Sequence, residues 1–206
     1  MIAYIITVAI AYAIGSIMSS VIISRRLAGF DVREKGSKNA GSTNVLRTAG
    51  KKAAVITLIC DILKGVIAIL MAIILARIAK IEDDMLLKHI AGLAVILGHT
   101  FPIFFEFRGG KGVATSLGVL LMLDWRIGLI ALCFALILIY LTKMVSVGSI
   151  TASILYPILV IFMQEEKSIG TVLVSFLIAV LVIFNHRSNI KRLKEGKENK
   201  INFSKK

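Results

Sequence analysis

Apolar stretches of the ~20 residues that a helix needs to cross a bilayer core recur along this chain, and 57% of its 206 residues are hydrophobic. With a mean hydropathy of +0.88, a soluble domain of this length is excluded. The chain is read as an all-α integral membrane protein, a compact bundle of about seven transmembrane helices forming one polytopic domain over residues 1–206. Spans are predicted at 2–24, 53–76, 86–105, 113–123, 127–142, 145–163 and 169–185. The fourth is about half the length that crossing requires, so it is expected to be short, tilted or extended beyond those limits. The first run lacks a basic leader and a clear small-residue cleavage site, which marks it as a retained span.

The net charge of +13 raises the question of nucleic acid, and the placement of the charges answers it. Most Lys and Arg fall in residues 25–52, 105–112 and 186–206 or at Lys143, all on one side of the predicted spans; only Arg77, Lys80, Lys88, Arg126 and Lys167 fall on the other. The excess of positive charge on cytoplasmic loops then puts the N-terminus outside and the basic tail 186–206 in the cytoplasm. The surplus is topological, no nucleic-acid partner is expected, and the tail is read as lying along anionic membrane lipid. Asn202-Phe203-Ser204 matches a glycosylation sequon but is incidental on that face. Cys60 and Cys133 lie inside apolar runs and are read as small buried hydrophobes.

Three polar segments on the cytoplasmic side interrupt this apolar chain: residues 36–47 (GSKNAGSTNVLR), 98–115 (GHTFPIFFEFRGGKGVAT) and 185–198 (NHRSNIKRLKEGKE). In the second, Arg108, Gly109, Gly110, Lys111 and Gly112 place glycine-rich backbone and two cations at a helix N-terminus, where free N–H groups and the helix dipole favour phosphate. It is no Walker A loop, because Gly112 follows Lys111 where Ser or Thr is required. Taken alone, such a cluster is as readily an interfacial turn with snorkelling cations. In the first segment Ser37, Asn39, Gly41, Ser42 and Asn44 pack hydroxyls, amides and backbone donors ahead of Arg47, a surface suited to an anionic substrate; turns and helix caps account for some of them. In the third, His186 and Asn189 are three apart and share a helical face. Asp61 and Lys64, also three apart but inside a span, read as a structural buried pair, since ionisable groups there must be paired and face the protein interior. His99 is read as shaping the second segment.

In order and in loop placement these segments resemble the three motifs of the PlsY family, the bacterial acylphosphate:glycerol-3-phosphate acyltransferases, and residues 61–65 (DILKG) are similar to that family's pattern too. The resemblance covers nearly the whole chain. It implies transfer of a fatty acyl group from acyl phosphate to the sn-1 hydroxyl of glycerol-3-phosphate, giving lysophosphatidate and phosphate, the first step of phospholipid biosynthesis, at the cytoplasmic face of a bacterial inner membrane. Neither acyl-CoA nor acyl carrier protein is the expected direct donor. Ser37, Arg47, Lys111, His186 and Asn189 are the expected catalytic residues, and Glu198, matching the terminal motif acid, is expected to anchor the tail by pairing with a cation. No cofactor or metal is expected, because the cytoplasmic acids are scattered and none makes a metal-binding spacing with a His. The His-x-x-x-x-Asp signature of other glycerolipid acyltransferases is missing, since Ala94, Phe104 and Lys191 stand where the Asp would follow each His. That leaves the general base open; because the acyl phosphate implied by the resemblance is an activated anhydride, direct attack by the substrate hydroxyl is favoured, with a Ser37 nucleophile assisted by His186 as the rival.

Two rival classes remain. A small anion or phosphate-ester transporter predicts an inverted repeat, which the sequence does not display; a non-catalytic scaffold leaves the recurrence of cations, glycines and amides on one face unexplained. The topology is testable in a Cys60→Ser, Cys133→Ser background: cysteines placed at Lys38, Lys197 and beside Gly109 should label from the cytoplasm and one at Glu165 from outside. External labelling beside Gly109 would separate the polar segments.

Overall fold

The computed structural model describes residues 1–165 and 167–201; the sequon at Asn202 lies outside them. Helices make up the fold: α1 (Ile2–Gly15), α2 (Ser19–Ala28), α3 (Ser42–Ile78), α4 (Met85–Thr100), α5 (Val113–Leu123), α6 (Trp125–Thr142), α7 (Val145–Met163), α8 (Ile169–Asn185) and α9 (Arg187–Lys194), with no strand among the described residues. A bilayer interior offers no water to unpaired backbone groups, which is why apolar runs of this kind must be helical. By length and apolarity five helical stretches among the described residues qualify to cross a membrane, or six if α8 and α9, bent by 58°, count as one. The expected fourth span is α5, an apolar helix of only 11 residues.

Two compact units divide the chain, residues 1–123 and 124–206. In the first, helices cross at glycines. A Cβ at Gly15 would lie 3.0 Å from the Cα of Gly98, and one at Gly118 would lie 3.0 Å from the carbonyl carbon of Ile62. Lipid tails are as apolar as leucine, so helices gain little by hiding apolar surface from them, and close backbone packing through small residues takes over. The lipid-facing ridge of α3 is correspondingly large and exposed, with Leu63, Ile67, Leu70 and Ile74, while Ala68, Ala72 and Ala76 are buried.

The first predicted span differs from expectation, because it breaks. Residues 16–18 separate α1 from α2, although the sequence runs apolar through the gap. The reason is a side chain from another helix: the Lys64 ammonium donates to the carbonyls of Gly15 and Ile17, 3.1 Å each, and pairs with the Asp61 carboxylate at 3.1 Å. A cation thus satisfies the carbonyls that the break sets free. A second break lies within α3, where Gly50 takes φ 87°, so that residues 42–49 form a separate helical piece ahead of the span.

In the second unit, a Cβ at Gly148 would stand 2.7 Å from the Cγ1 of Ile139, so α6 and α7 cross closely there. Pro157 sits inside α7 and cannot donate to the carbonyl one turn back.

Removing one partner of a buried ion pair leaves a charge stranded, at a cost of about 3–5 kcal/mol. Lys64→Met should accordingly lower the thermal unfolding midpoint in detergent strongly, and Asp61→Asn added to it should recover part of the loss. Equal midpoints for Lys64→Met and the wild type would show that the break does not depend on this cation.

Candidate active site

The first polar loop is built on an apolar floor. Met18, Val21, Val32, Ala40, Val45, Ala53 and Ala54 form a buried cluster against which Phe105 packs from the second loop. Above it, Asn44 organises the backbone. Its amide donates to the carbonyls of Val32, Lys35 and Asn39, each at 3.0 Å, and its side-chain oxygen accepts from the Ser37 N–H, also at 3.0 Å. Asn44 is 1% exposed. The residue read as a phosphate ligand is employed within the loop, and it presents Ser37 and Asn39 indirectly. Ser37 and Arg47 are exposed, and Asn39, Gly41 and Ser42 are half-buried.

The second loop folds back on the end of α4. Gly109 donates to the Thr100 carbonyl and Gly110 to that of His99, both at 3.1 Å. A Cβ on Gly110 would overlap the His99 ring and stand 2.8 Å from the Ala40 carbonyl oxygen, so the two polar loops meet there with no room for a side chain. The absence of a side chain at Gly110 is thus a packing requirement of the loop itself. Gly112 has φ 83°, a left-handed conformation that glycine adopts without strain. Lys111 between them is half-buried, at the head of α5. His99 is buried, with Nδ1 3.7 Å from the Asp61 carboxylate.

One feature of this site is not among the candidate residues above: the pair Asp31 and Arg33. Both are buried, at 6% and 8% exposure. The Arg33 guanidinium grips Asp31 through Nε and Nη2 and donates from Nη1 to the Phe105 carbonyl at 2.9 Å, which joins the two loops. The signal in the sequence was an acid two residues before an arginine, just ahead of the first motif. Burial pushes the Asp31 carboxyl up, but hydrogen bonds from the Arg33 side chain and backbone, its charge and a bond from Arg25 outweigh this and bring it down to about 2.

In the second unit the third segment turns at His186 from α8 into α9. The His186 ring donates from Nδ1 to the Val182 carbonyl at 2.7 Å, which makes Nε2 the acceptor in the neutral ring. The Glu198 carboxylate accepts from Asn189 Nδ2 at 2.7 Å, Ser146 Oγ at 3.0 Å and Arg192 Nε at 2.9 Å. Burial raises the Glu198 carboxyl, but these three donors together lower it below the usual range. The tail is also fastened by the Ile201 N–H, which donates to the Lys143 carbonyl at 2.7 Å. Among the described residues no group of three His, Cys, Asp or Glu is arranged to hold a metal.

A sequence profile described as glycerol-3-phosphate acyltransferase matches residues 5–196. The chain is 43% identical over 198 residues to the glycerol-3-phosphate acyltransferase of Clostridioides difficile, covering 96% of this chain and 95% of the relative. It is 45% identical over 197 residues to that of a Thermoanaerobacter species, with the same coverage. The fold is similar to the crystal structure of PlsY, an integral membrane glycerol 3-phosphate acyltransferase, in its glycerol 3-phosphate form, with a TM-score of 0.86 at 35% identity over 97% of this chain and 96% of that one. The lysophosphatidic acid form of PlsY gives a TM-score of 0.84.

Two outcomes follow from this geometry. Asn44→Ala leaves buried backbone groups without partners, each at about 1–3 kcal/mol, and should lower the unfolding midpoint together with turnover. Asp31, whose folded pKa is depressed from 3.8 to about 2, contributes stability that is present above about pH 4 and is lost as pH falls through 2. An Asp31→Asn protein should therefore be less stable than wild type at pH 7, by about 2 kcal/mol, and the difference should vanish near pH 2. A difference independent of pH would contradict it.

Proposed function

Because the chain belongs to the glycerol-3-phosphate acyltransferase family, we infer that it is an integral membrane enzyme that acylates glycerol-3-phosphate, and we propose acyl phosphate as the donor and the sn-1 hydroxyl as the acceptor. The observation that carries the reading is the meeting of two glycine- and cation-bearing loops at Gly110 and the Ala40 carbonyl. Both substrates carry phosphate, and one phosphate is the leaving group. Catalysis then rests on fixed cations and backbone donors aimed at developing negative charge.

In the proposed reaction the sn-1 oxygen attacks the acyl carbonyl carbon, the bond from that carbon to the phosphate oxygen breaks, and the hydroxyl proton passes to a substrate phosphate. An acyl phosphate is already an activated anhydride, so no acyl-enzyme is required. Lys111 and Arg47 oppose the phosphate charge; Ser37, Asn39, Gly41 and Ser42 offer hydroxyl, amide and backbone groups to the substrate, and Asn44 holds their loop. His186 and Asn189 are proposed to serve the same turnover. The acyl chain stays in the bilayer and glycerol-3-phosphate enters from the cytoplasm of a bacterial cell, with the N-terminus outside and the tail inside.

Purified protein given acyl phosphate and glycerol-3-phosphate should release lysophosphatidate and phosphate, and acyl-CoA in place of acyl phosphate should give none. Lys111→Ala or Arg47→Ala should cost about 2–4 kcal/mol of transition-state stabilisation if each acts as one essential charge-stabilising donor, read as at least a tenfold fall in kcat/KM. Wild-type turnover in folded Lys111→Ala protein would remove that residue from the mechanism. Intact-protein mass spectrometry after quenching with acyl phosphate alone should find no adduct; a stoichiometric acyl group on Ser37 would replace direct transfer by a covalent route.

A further inference from the structure

The turn that leads into the Lys111 loop holds two successive residues, Glu106 and Phe107, in left-handed conformations, with φ of 59° and 57°. Neither is glycine. Such residues persist only where their surroundings over-determine them, and the carbonyl immediately before them, that of Phe105, is held from two directions. It accepts the Arg108 N–H at 3.1 Å and the Arg33 guanidinium at 2.9 Å. Arg33 is in turn fixed by Asp31, which takes its Nε, its Nη2 and its backbone N–H, and Arg25 donates to the same carboxylate at 2.9 Å. On the far side of the turn Gly109 and Gly110 are pinned to the carbonyls of Thr100 and His99. The Lys111 loop is therefore tied at one end to α4 and at the other to the start of the first loop.

We propose that Arg33, aimed by Asp31, is a positioning residue for the acyl transfer: by holding the Phe105 carbonyl it fixes the strained turn from which Lys111 is presented to phosphate. A guanidinium is suited to this because its planar fork engages a carboxylate with two N–H groups while a third points elsewhere. A lysine ammonium at the same place retains the charge beside Asp31 but cannot span both the carboxylate and the Phe105 carbonyl with fixed geometry. The proposal rests on the assignment of Lys111 to phosphate charge, and it makes the effect of Arg33 conditional on Lys111.

The test is a double-mutant cycle on the full chain in detergent or nanodiscs, with kcat and KM for acyl phosphate and glycerol-3-phosphate measured for wild type, Arg33→Lys, Lys111→Ala and the double variant. Arg33→Lys preserves the buried charge pair, so protein should accumulate, and its monodispersity is checked by size exclusion. The expected result is a loss of at least tenfold in kcat/KM for Arg33→Lys in the wild-type background and less than threefold in the Lys111→Ala background. Losses that simply multiply, with Lys111→Ala itself impaired, would overturn the positioning role while leaving the proposed function in place. Unchanged kcat/KM in Arg33→Lys would do the same. Wild-type rates in Lys111→Ala would instead overturn the assignment of Lys111, and the proposal with it.

Discussion

One cation inside the apolar interior sets the form of the first unit. Lys64 binds the carbonyls of Gly15 and Ile17 and is neutralised by Asp61 one turn before it. Without a donor at that place the gap between α1 and α2 would leave backbone acceptors unpaired in a medium that offers nothing else. The break redirects the chain into α2, whose Ser20 hydroxyl donates to the Ala40 carbonyl at 3.0 Å and whose Ser24 hydroxyl accepts from the Val32 N–H at 3.2 Å. The position of the first loop descends from the break, and through Ala40 and Gly110 that of the second loop does too.

Carboxylates in this chain fix loops. Asp31 and Glu198 are both buried, both gather several donors, and both are held ionised by those donors against the effect of burial. Each has an arginine as one partner; Asp31 lies just ahead of the first polar segment and Glu198 closes the third. The division of labour is electrostatic: an acid free to face a doubly charged substrate would repel it, whereas an acid enclosed by guanidinium and amide groups acts as an anchor. Lys111 and Arg47 can then present positive charge to a phosphate.

How much of this could be read from the sequence follows from what each signal depends on. Apolar runs and three polar interruptions were legible because membrane insertion constrains composition directly, and the Asp61–Lys64 pair was legible because charges inside a span need each other. The break at residues 16–18 was not, since Ser16, Ile17 and Met18 look like ordinary span residues and the cause is a lysine 47 residues further on. Asn44 was read by its residue type, as one more polar group in a polar loop, when its four hydrogen bonds all return to the loop backbone. Arg33 was one basic residue among several flanking a span, and what sets it apart from the exposed Arg25 and Arg26 is visible only in the fold: its burial, its fork onto Asp31 and the approach of the Phe105 carbonyl.

The shortness of α5 has a consequence for the environment this protein needs. Its 11 residues rise about 16 Å, against a hydrocarbon core of about 30 Å. The helix that begins beside Lys111 thus covers about half the thickness of the bilayer with its own apolar surface. A stretch this short is accommodated by thinning of the bilayer, by snorkelling of flanking residues or by association with other helices, each at a cost that grows with the mismatch. Membrane thickness therefore enters the energetics of the helix whose first turn follows Lys111.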